Sequence, residues 1–516
     1  MSRRRVAGLI ALGALALTAS YPPFTLPVLS FLAVTPAVLL VRQCVTDSDA
    51  RRAFRWGFWY GVASQGLVLY WLVVALWHFT ALAALGYLAT IVILGLWTGV
   101  LFWFTVRVRL QFPRVSLALV LPAAWTALEW VLGHQGDISF PWLGLGTSLA
   151  DAPVLVQWAD IAGAHGVTWW LVWCNVLVAA ALPGIPGAGA MKRAARALAP
   201  VALSVGLALG YGLWRERTLP VRTAGVVALV QPNVGWRDKW NWAYQDSVVA
   251  RTLGLSRQAR TAHPDLIIWP ESAVPWYLSD KPLWDQAIAQ FAAASHTPVL
   301  TGVLHAEVHA GVFTSYNAAV LYDSSGQWRR WPVYEKHYLV PVVERVPFVP
   351  VAWFRKVPWL DRWSGGFGRG QALPLYPTSI GRFGVIICFE SIFEDMARGY
   401  RRAGADFLVN ITNDGWYGRT AGPSQHASHL VMRAIENRLG VARAANTGIT
   451  EFVDPLGHAY DQTALEREAT VADQLRTSDV VPPYVKLGDW VGLLSVAATL
   501  GLAVALAVQE WKLGAS

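Results

Sequence analysis

Gly384-Val-Ile-Ile-Cys388-Phe-Glu-Ser391 is a short apolar run that ends on a cysteine and turns polar at once. Its β-branched residues read as a buried strand, which leaves the thiol at the strand end. Upstream, Ile268-Trp-Pro-Glu271-Ser-Ala places a carboxylate behind another apolar run, and Tyr334-Glu-Lys336-His-Tyr338 carries a lysine between the two. A base, a cation and a thiol on strand ends form an activated-nucleophile arrangement. A lone cysteine at a strand end is ordinary apolar packing when nothing accompanies it. Here the adjoining Phe389 and Glu390 and the two distant partners turn the reading toward catalysis.

The same alternation of strand-like and helix-like stretches extends over about 220–486. Strands are expected at 224–230, 266–269, 299–303, 318–322, 384–388, 407–410 and 450–453, and helices at about 243–262, 283–295, 392–403 and 424–438. That pattern predicts an α/β layered domain with its own core.

The rest of the chain is a different material. Of 516 residues 54% are hydrophobic and only 15% charged, against ~25% in an ordinary soluble domain. Apolar segments fall at about 6–20, 26–41, 56–77, 81–106, 115–132, 167–182, 197–214 and 489–509. Most approach the roughly 20 residues that a bilayer-spanning helix needs. The first two are short and flanked by proline, so a re-entrant hairpin is the alternative there. Met1-Ser-Arg-Arg-Arg5 lacks a convincing cleavage site after it and reads as the start of an uncleaved first helix.

Charge sets the orientation. Arg3, Arg4 and Arg5 precede the first span, Arg42, Arg51, Arg52 and Arg55 follow the second, Arg107, Arg109 and Arg114 follow the fourth, and Lys192, Arg193 and Arg196 follow the sixth. The alternate connections at 21–25, 78–80 and 133–166 hold no lysine or arginine. The positive-inside rule then makes both termini cytoplasmic and puts 220–486 outside. The expected division is a transmembrane part over 1–219, a catalytic domain over 220–486, and a final span with its tail over 487–516. Because the net charge of +9 is clustered between apolar segments, it speaks for topology rather than for a nucleic-acid-binding face. Three scattered cysteines exclude a disulfide framework or a thiolate metal site.

Glu271, flanked by Trp269 and Trp276, is expected in a partly desolvated cleft, where a carboxylate becomes a better base. An ammonium at Lys336 would lower a nearby thiol pKa and stabilise an oxyanion. His426 and His429 lack a third ligand at sensible spacing and are expected on a helix flank near the site, without a metal. Trp56, Trp59, Trp71, Trp77, Trp97 and Trp103 read as an interfacial belt. Glu129 is an acidic residue inside a span, the one feature that would suit a transporter or receptor.

Together these residues resemble the Glu-Lys-Cys triad of the nitrilase superfamily, and the full chain resembles the apolipoprotein N-acyltransferase family. Phe140-Pro-Trp-Leu-Gly-Leu-Gly146, Val230-Gln-Pro-Asn233, Lys239-Trp240, Thr412-Asn-Asp-Gly-Trp-Tyr-Gly418 and Arg443-Ala-Ala-Asn-Thr-Gly-Ile-Thr450 carry the likeness further. The resemblance implies a multi-span α-helical membrane domain joined to an αββα-layered, nitrilase-like extracytoplasmic domain. It implies Glu271 as general base, Lys336 as oxyanion-stabilising cation and Cys388 as nucleophile, with Glu344 and Glu390 in support and Trp240 contacting substrate. The family often has tyrosine where this chain has Phe389, so only a backbone N–H is offered at that position. The implied reaction moves an acyl chain from a membrane phospholipid through a thioester to the α-amino group of a diacylglyceryl-modified apolipoprotein. No cofactor, metal or nucleic acid is called for, and the implied location is the bacterial inner membrane with a periplasmic catalytic domain. A membrane-tethered amidohydrolase using water as acceptor is the alternative.

Overall fold

The computed structural model describes residues 1–24, 26–77, 83–182, 190–309, 312–349 and 366–514, so the connection at 78–80 lies outside the described residues. Among them, Pro27–Thr46, Ala83–Gln111, Ala159–Ala181, Met191–Thr218 and Trp490–Lys512 are helices long and apolar enough to cross a membrane. The passage expected at 56–77 is broken: Ala50–Val68 and Trp71–Trp77 meet at 63°. Leu117–Gly133 is a shorter apolar helix, and Arg3–Ser20 begins with three arginines. Every expected span thus coincides with a helix, although four of the seven amino-terminal ones reach full length unbroken. The sixth begins at Ala159, earlier than expected, with a kink at Gly163 (φ 68°) that sets its first turn apart from the rest.

Twelve strands follow among the described residues: β1 Arg222–Gln231, β2 Leu266–Ile268, β3 Val299–His309, β4 Val312–Tyr322, β5 Tyr334–Glu335, β6 Tyr376–Thr378, β7 Gly381–Ile387, β8 Phe407–Thr412, β9 Gly440–Ala445, β10 Glu451–Val453, β11 Ala459–Tyr460 and β12 Ala469–Thr477. They form two six-stranded sheets, ordered β12-β1-β2-β3-β4-β5 and β11-β10-β9-β8-β7-β6. Period-two alternation shows how the layers stack. Along β1, Val227 and Leu229 point into the core shared with the second sheet, whereas Ala228 and Val230 face a separate cluster. That cluster contains Val249, Leu253, Trp284 and Ile288 from the helices Gln245–Ala259 and Pro282–Ser295. The helices Glu394–Ala403 and Gly422–Asn437 supply Met396, Ala397, Leu430 and Ala434 to the shared core. The result is the expected αββα order.

The membrane helices and the layered domain are joined by buried charge. Arg438, just past the helix Gly422–Asn437, donates to Asp160 Oδ2 at 2.7 Å, to the Gln157 side chain at 2.6 Å and to the Gln157 carbonyl at 2.7 Å. Asp160 also receives Arg215 at 2.8 Å and Tyr211 Oη at 2.9 Å. Glu129 accepts from Trp125, the Leu145 amide and Thr168, at 2.9, 3.0 and 2.7 Å. It therefore pins the 140–146 loop, and all its partners are structural. Removing Arg438 takes one of two cations from Asp160 and leaves both oxygens of buried Gln157 without this donor. Arg438→Met is expected to destabilise the protein by about 3 kcal/mol, read as a lowered Tm in detergent; an unchanged Tm would show that the joint lies elsewhere.

Candidate active site

Three strand ends converge. β7 stops at Ile387, and Cys388 follows in the left-handed region at φ 52°, opening the short turn Cys388–Ile392. Glu271 lies just beyond β2, held against β3 by Trp269 N–H to Leu300 O at 2.8 Å and Val274 N–H to Gly302 O at 3.1 Å. Gly302 allows this close approach: a Cβ there would meet Ser272 N at 2.5 Å, Pro270 O at 2.7 Å and Glu271 Cα at 2.8 Å. Lys336 follows β5, its amide donating to the Asn317 carbonyl of β4 at 2.8 Å.

Glu390 ties two of these ends together. Its carboxylate accepts from the Ile387 amide at 2.6 Å and Tyr334 Oη at 2.6 Å on one oxygen, and from the Tyr338 amide at 3.1 Å and the His337 amide on the other. One side chain therefore fixes the Cys388 turn against the segment that carries Lys336. Burial pushes the Glu390 pKa up to about 7, with the Ile387 amide foremost among the groups that oppose it.

The charged centre is compact and buried. Lys336 Nζ donates to Glu344 Oε1 at 2.9 Å and lies 3.4 Å from Glu271 Oε1. Asn317 Nδ2 reaches the same two carboxylate oxygens, at 2.9 and 2.7 Å. Burial works against charge on Lys336, yet Glu344 and then Glu271 hold its pKa above the usual lysine range. Glu271 Oε2 has no hydrogen-bond partner among the described residues, which leaves it free to take a proton. Burial raises the Cys388 thiol, Glu271 raises it further, and Lys336 opposes them. The resting thiol is therefore protonated at neutral pH.

Glu271, Lys336, Glu344, Cys388, Phe389 and Trp240 line one cleft, while Glu390 braces it from behind. Beside the polar Ser272, Asn317 and Asn413, its walls are apolar: Trp71, Leu72, Ala75 and Leu76 from the bent helix, with Phe140, Trp142, Val340, Val343 and Phe367. Trp71 is accordingly buried, unlike exposed Trp59 and Trp77, and leaves the expected interfacial belt. Its Nε1 and that of Trp142 each donate to Gln425 Oε1 at 3.0 Å. Phe389 stacks on Phe140 at 6.2 Å and meets Phe393 edge-on at 5.3 Å, so the family's phenol position is here part of an apolar wall.

Sequence reading missed Asn317 and Lys239 as members of the site. Asn317 precedes the apolar Ala318–Leu321 of β4, a buried polar residue that has to find partners. Lys239 Nζ donates to the Glu271 carbonyl at 2.6 Å. Burial lowers its pKa to about 8, against the pull of Glu271 and Cys388. His426 and His429 lie near the site as expected. Cys388, Asp414 and His426 bring three potential metal donors together, but the two His426 nitrogens already face Asp414 Oδ1 at 2.9 Å and the Cys388 carbonyl at 3.0 Å.

Gly302→Ala is expected to displace Glu271 and slow turnover about 10²-fold, with the fold retained by circular dichroism; wild-type turnover would show that the Glu271 loop tolerates the shift. Because the thiol is raised, its iodoacetamide alkylation in the resting enzyme should be slow at neutral pH. It should keep climbing beyond pH ~8.5, where an unperturbed thiol is half ionised; a plateau below that pH would contradict the burial effect.

A family model described as carbon-nitrogen hydrolase matches residues 226–471, and one described as the apolipoprotein N-acyltransferase N-terminal domain matches 13–177. The chain is 31% identical over 497 residues to the apolipoprotein N-acyltransferase of Geobacter metallireducens, covering 94% of this chain and 93% of that one. It is 30% identical over 520 residues to that of Chlorobaculum tepidum, with the same coverage of 94% and 93%. A solved amidase from Nesterenkonia sp. aligns at 15% identity and TM-score 0.36, over 52% of this chain and 95% of that one. Both parts of the chain thus match in the order found in full-length relatives, and it belongs to the apolipoprotein N-acyltransferase family.

Proposed function

We propose that this enzyme moves an acyl chain from a membrane phospholipid to the α-amino group of the amino-terminal diacylglyceryl-cysteine of apolipoproteins. The observation that carries the reading is the placement of Glu271, Lys336 and Cys388 in an apolar cleft walled by Trp71, Leu72, Ala75 and Leu76, residues of a candidate membrane segment. An acyl chain can reach the thiol there without entering water.

In the first half-reaction Glu271 takes the Cys388 proton as sulfur attacks the ester carbonyl. The C–S bond forms, and negative charge gathers on the carbonyl oxygen. Lys336 Nζ and a backbone N–H at residue 389 stabilise it. The glycerol C–O bond then breaks, and the proton on Glu271 passes to the leaving lysophospholipid. In the second half the acceptor's neutral amine attacks the thioester, C–N forms, C–S breaks, and Glu271 receives the amine proton and passes it to the departing Cys388 thiolate. Glu344 neutralises the Lys336 charge, Asn317 holds the Glu344 and Glu271 carboxylates in place, Glu390 fixes the turn, and Trp240 contacts substrate at the cleft. The names of the relatives favour an amine acceptor over water.

The proposed organisation is a membrane part over 1–219, a catalytic domain over 220–486 and a final span with its tail over 487–516. The arginine and lysine asymmetry supports a periplasmic catalytic domain on the bacterial inner membrane. Reporter fusions near residue 300 should read external, and those near 50, 110 and 193 cytoplasmic; a cytoplasmic signal at 300 would reverse this topology.

Labelled phospholipid alone should leave a hydroxylamine-labile acyl group on Cys388, and a diacylglyceryl-cysteine peptide should discharge it onto its amine. Cys388→Ala should form no acyl-enzyme while remaining folded; transfer at the normal rate would sink the nucleophile assignment. Glu271→Gln should stall acylation, and Lys336→Met should slow it by about 10²–10³ in single-turnover measurements. Wild-type acylation in either would remove that residue's role.

A further inference from the structure

His426 lies on the helix Gly422–Asn437, fully buried and outside the residues that line the cleft. Its Nε2 is 3.0 Å from the Cys388 carbonyl oxygen. A backbone carbonyl only accepts, so Nε2 is the donor. On the other side of the ring Nδ1 sits 2.9 Å from Asp414 Oδ1. Asp414 is held in turn by Arg443 Nη2 at 2.7 Å and Thr412 Oγ1 at 3.0 Å. Burial opposes its charge, but Arg443 and then His426 draw the Asp414 pKa down to about 2. A fixed carboxylate therefore orients the imidazole.

The bond matters because of where Cys388 sits. At φ 52° a residue with a side chain is strained and needs its surroundings to hold it there. The Cys388 carbonyl and the Phe389 N–H belong to one planar trans peptide and point in opposite directions. Gripping the carbonyl from the helix side therefore turns the N–H away from the helix. Phe389 is also in the first turn of Cys388–Ile392, where backbone amides have no partner within the helix.

We infer that His426 is a positioning residue: by holding the Cys388 carbonyl it aims the Phe389 N–H at the oxygen of the reacting ester, as the second donor beside Lys336. The inference rests on Cys388 being the acyl-carrying nucleophile. Asp414 and Arg443 serve the same end by fixing the ring.

Two reactions of the same thiol separate this role from general support. Acylation builds an oxyanion; alkylation by iodoacetamide displaces iodide and builds none. In the full-length enzyme in detergent, His426→Leu is expected to slow single-turnover acylation by about 10²–10³, with alkylation of Cys388 and the phospholipid KM unchanged. His426→Gln, whose amide can reach the same carbonyl, should recover most of the acylation, whereas His426→Asn should not. If the Leu variant does not fold, the Gln and Asn pair carries the test. Wild-type acylation in the Leu variant, equal acylation in the Gln and Asn variants, or alkylation falling in step with acylation would overturn the inference. A wild-type enzyme that is alkylated at Cys388 but never acylated there would overturn the nucleophile reading and this inference with it. That result appears before any substitution is made, so the two failures are distinguishable.

Discussion

A buried ammonium is the constraint around which this site is built. Lys336 is 1% exposed, and an uncompensated charge at such a position is costly enough that the group would lose its proton. Glu344 and Glu271 prevent that, and Asn317 clasps the same two oxygens so that neither carboxylate can swing away. The geometry then divides the carboxylates: Glu344 is spent on the cation, while Glu271 keeps one oxygen free. The strand ends, the close approach at Gly302 and the Glu390 bridge are the means by which these groups are brought within reach.

A second dependence runs between the two parts of the chain. Gln425 Oε1 accepts from Trp71 and Trp142, and its Nε2 donates to the carbonyls of Pro22 and Val68 at 3.4 and 3.3 Å. One amide on a helix of the layered domain thus gathers the break in the bent helix and the 140–146 loop. Arg438 does the same at the other end, on Gln157 and Asp160. The cleft is formed between the two parts.

Much of this was legible in the sequence, and the reasons differ by element. Hydropathy placed the helices because bilayer thickness imposes a length, and β1, β2, β7 and β8 announced themselves as apolar runs. β12, Ala469–Thr477, was missed because as an edge strand it alternates polar residues. β9 was missed because Arg443 sits in its middle, buried on Asn410 and Asp414. The break at 69–70 and the burial of Trp71 arise from a contact with Gln425, more than 350 residues away, which no local pattern encodes. Cys388, Glu271 and Lys336 were found through their strand-end setting, whereas Asn317 and Lys239 act through partners that only folding supplies.

The raised pKa of Cys388 has one more consequence. Peroxides and disulfides attack thiolates far faster than thiols. Cys388 is the only cysteine in residues 220–486. Its burial, together with the Glu271 carboxylate, keeps it protonated between turnovers. The burial that disfavours the thiolate thus also preserves the sulfur against irreversible oxidation.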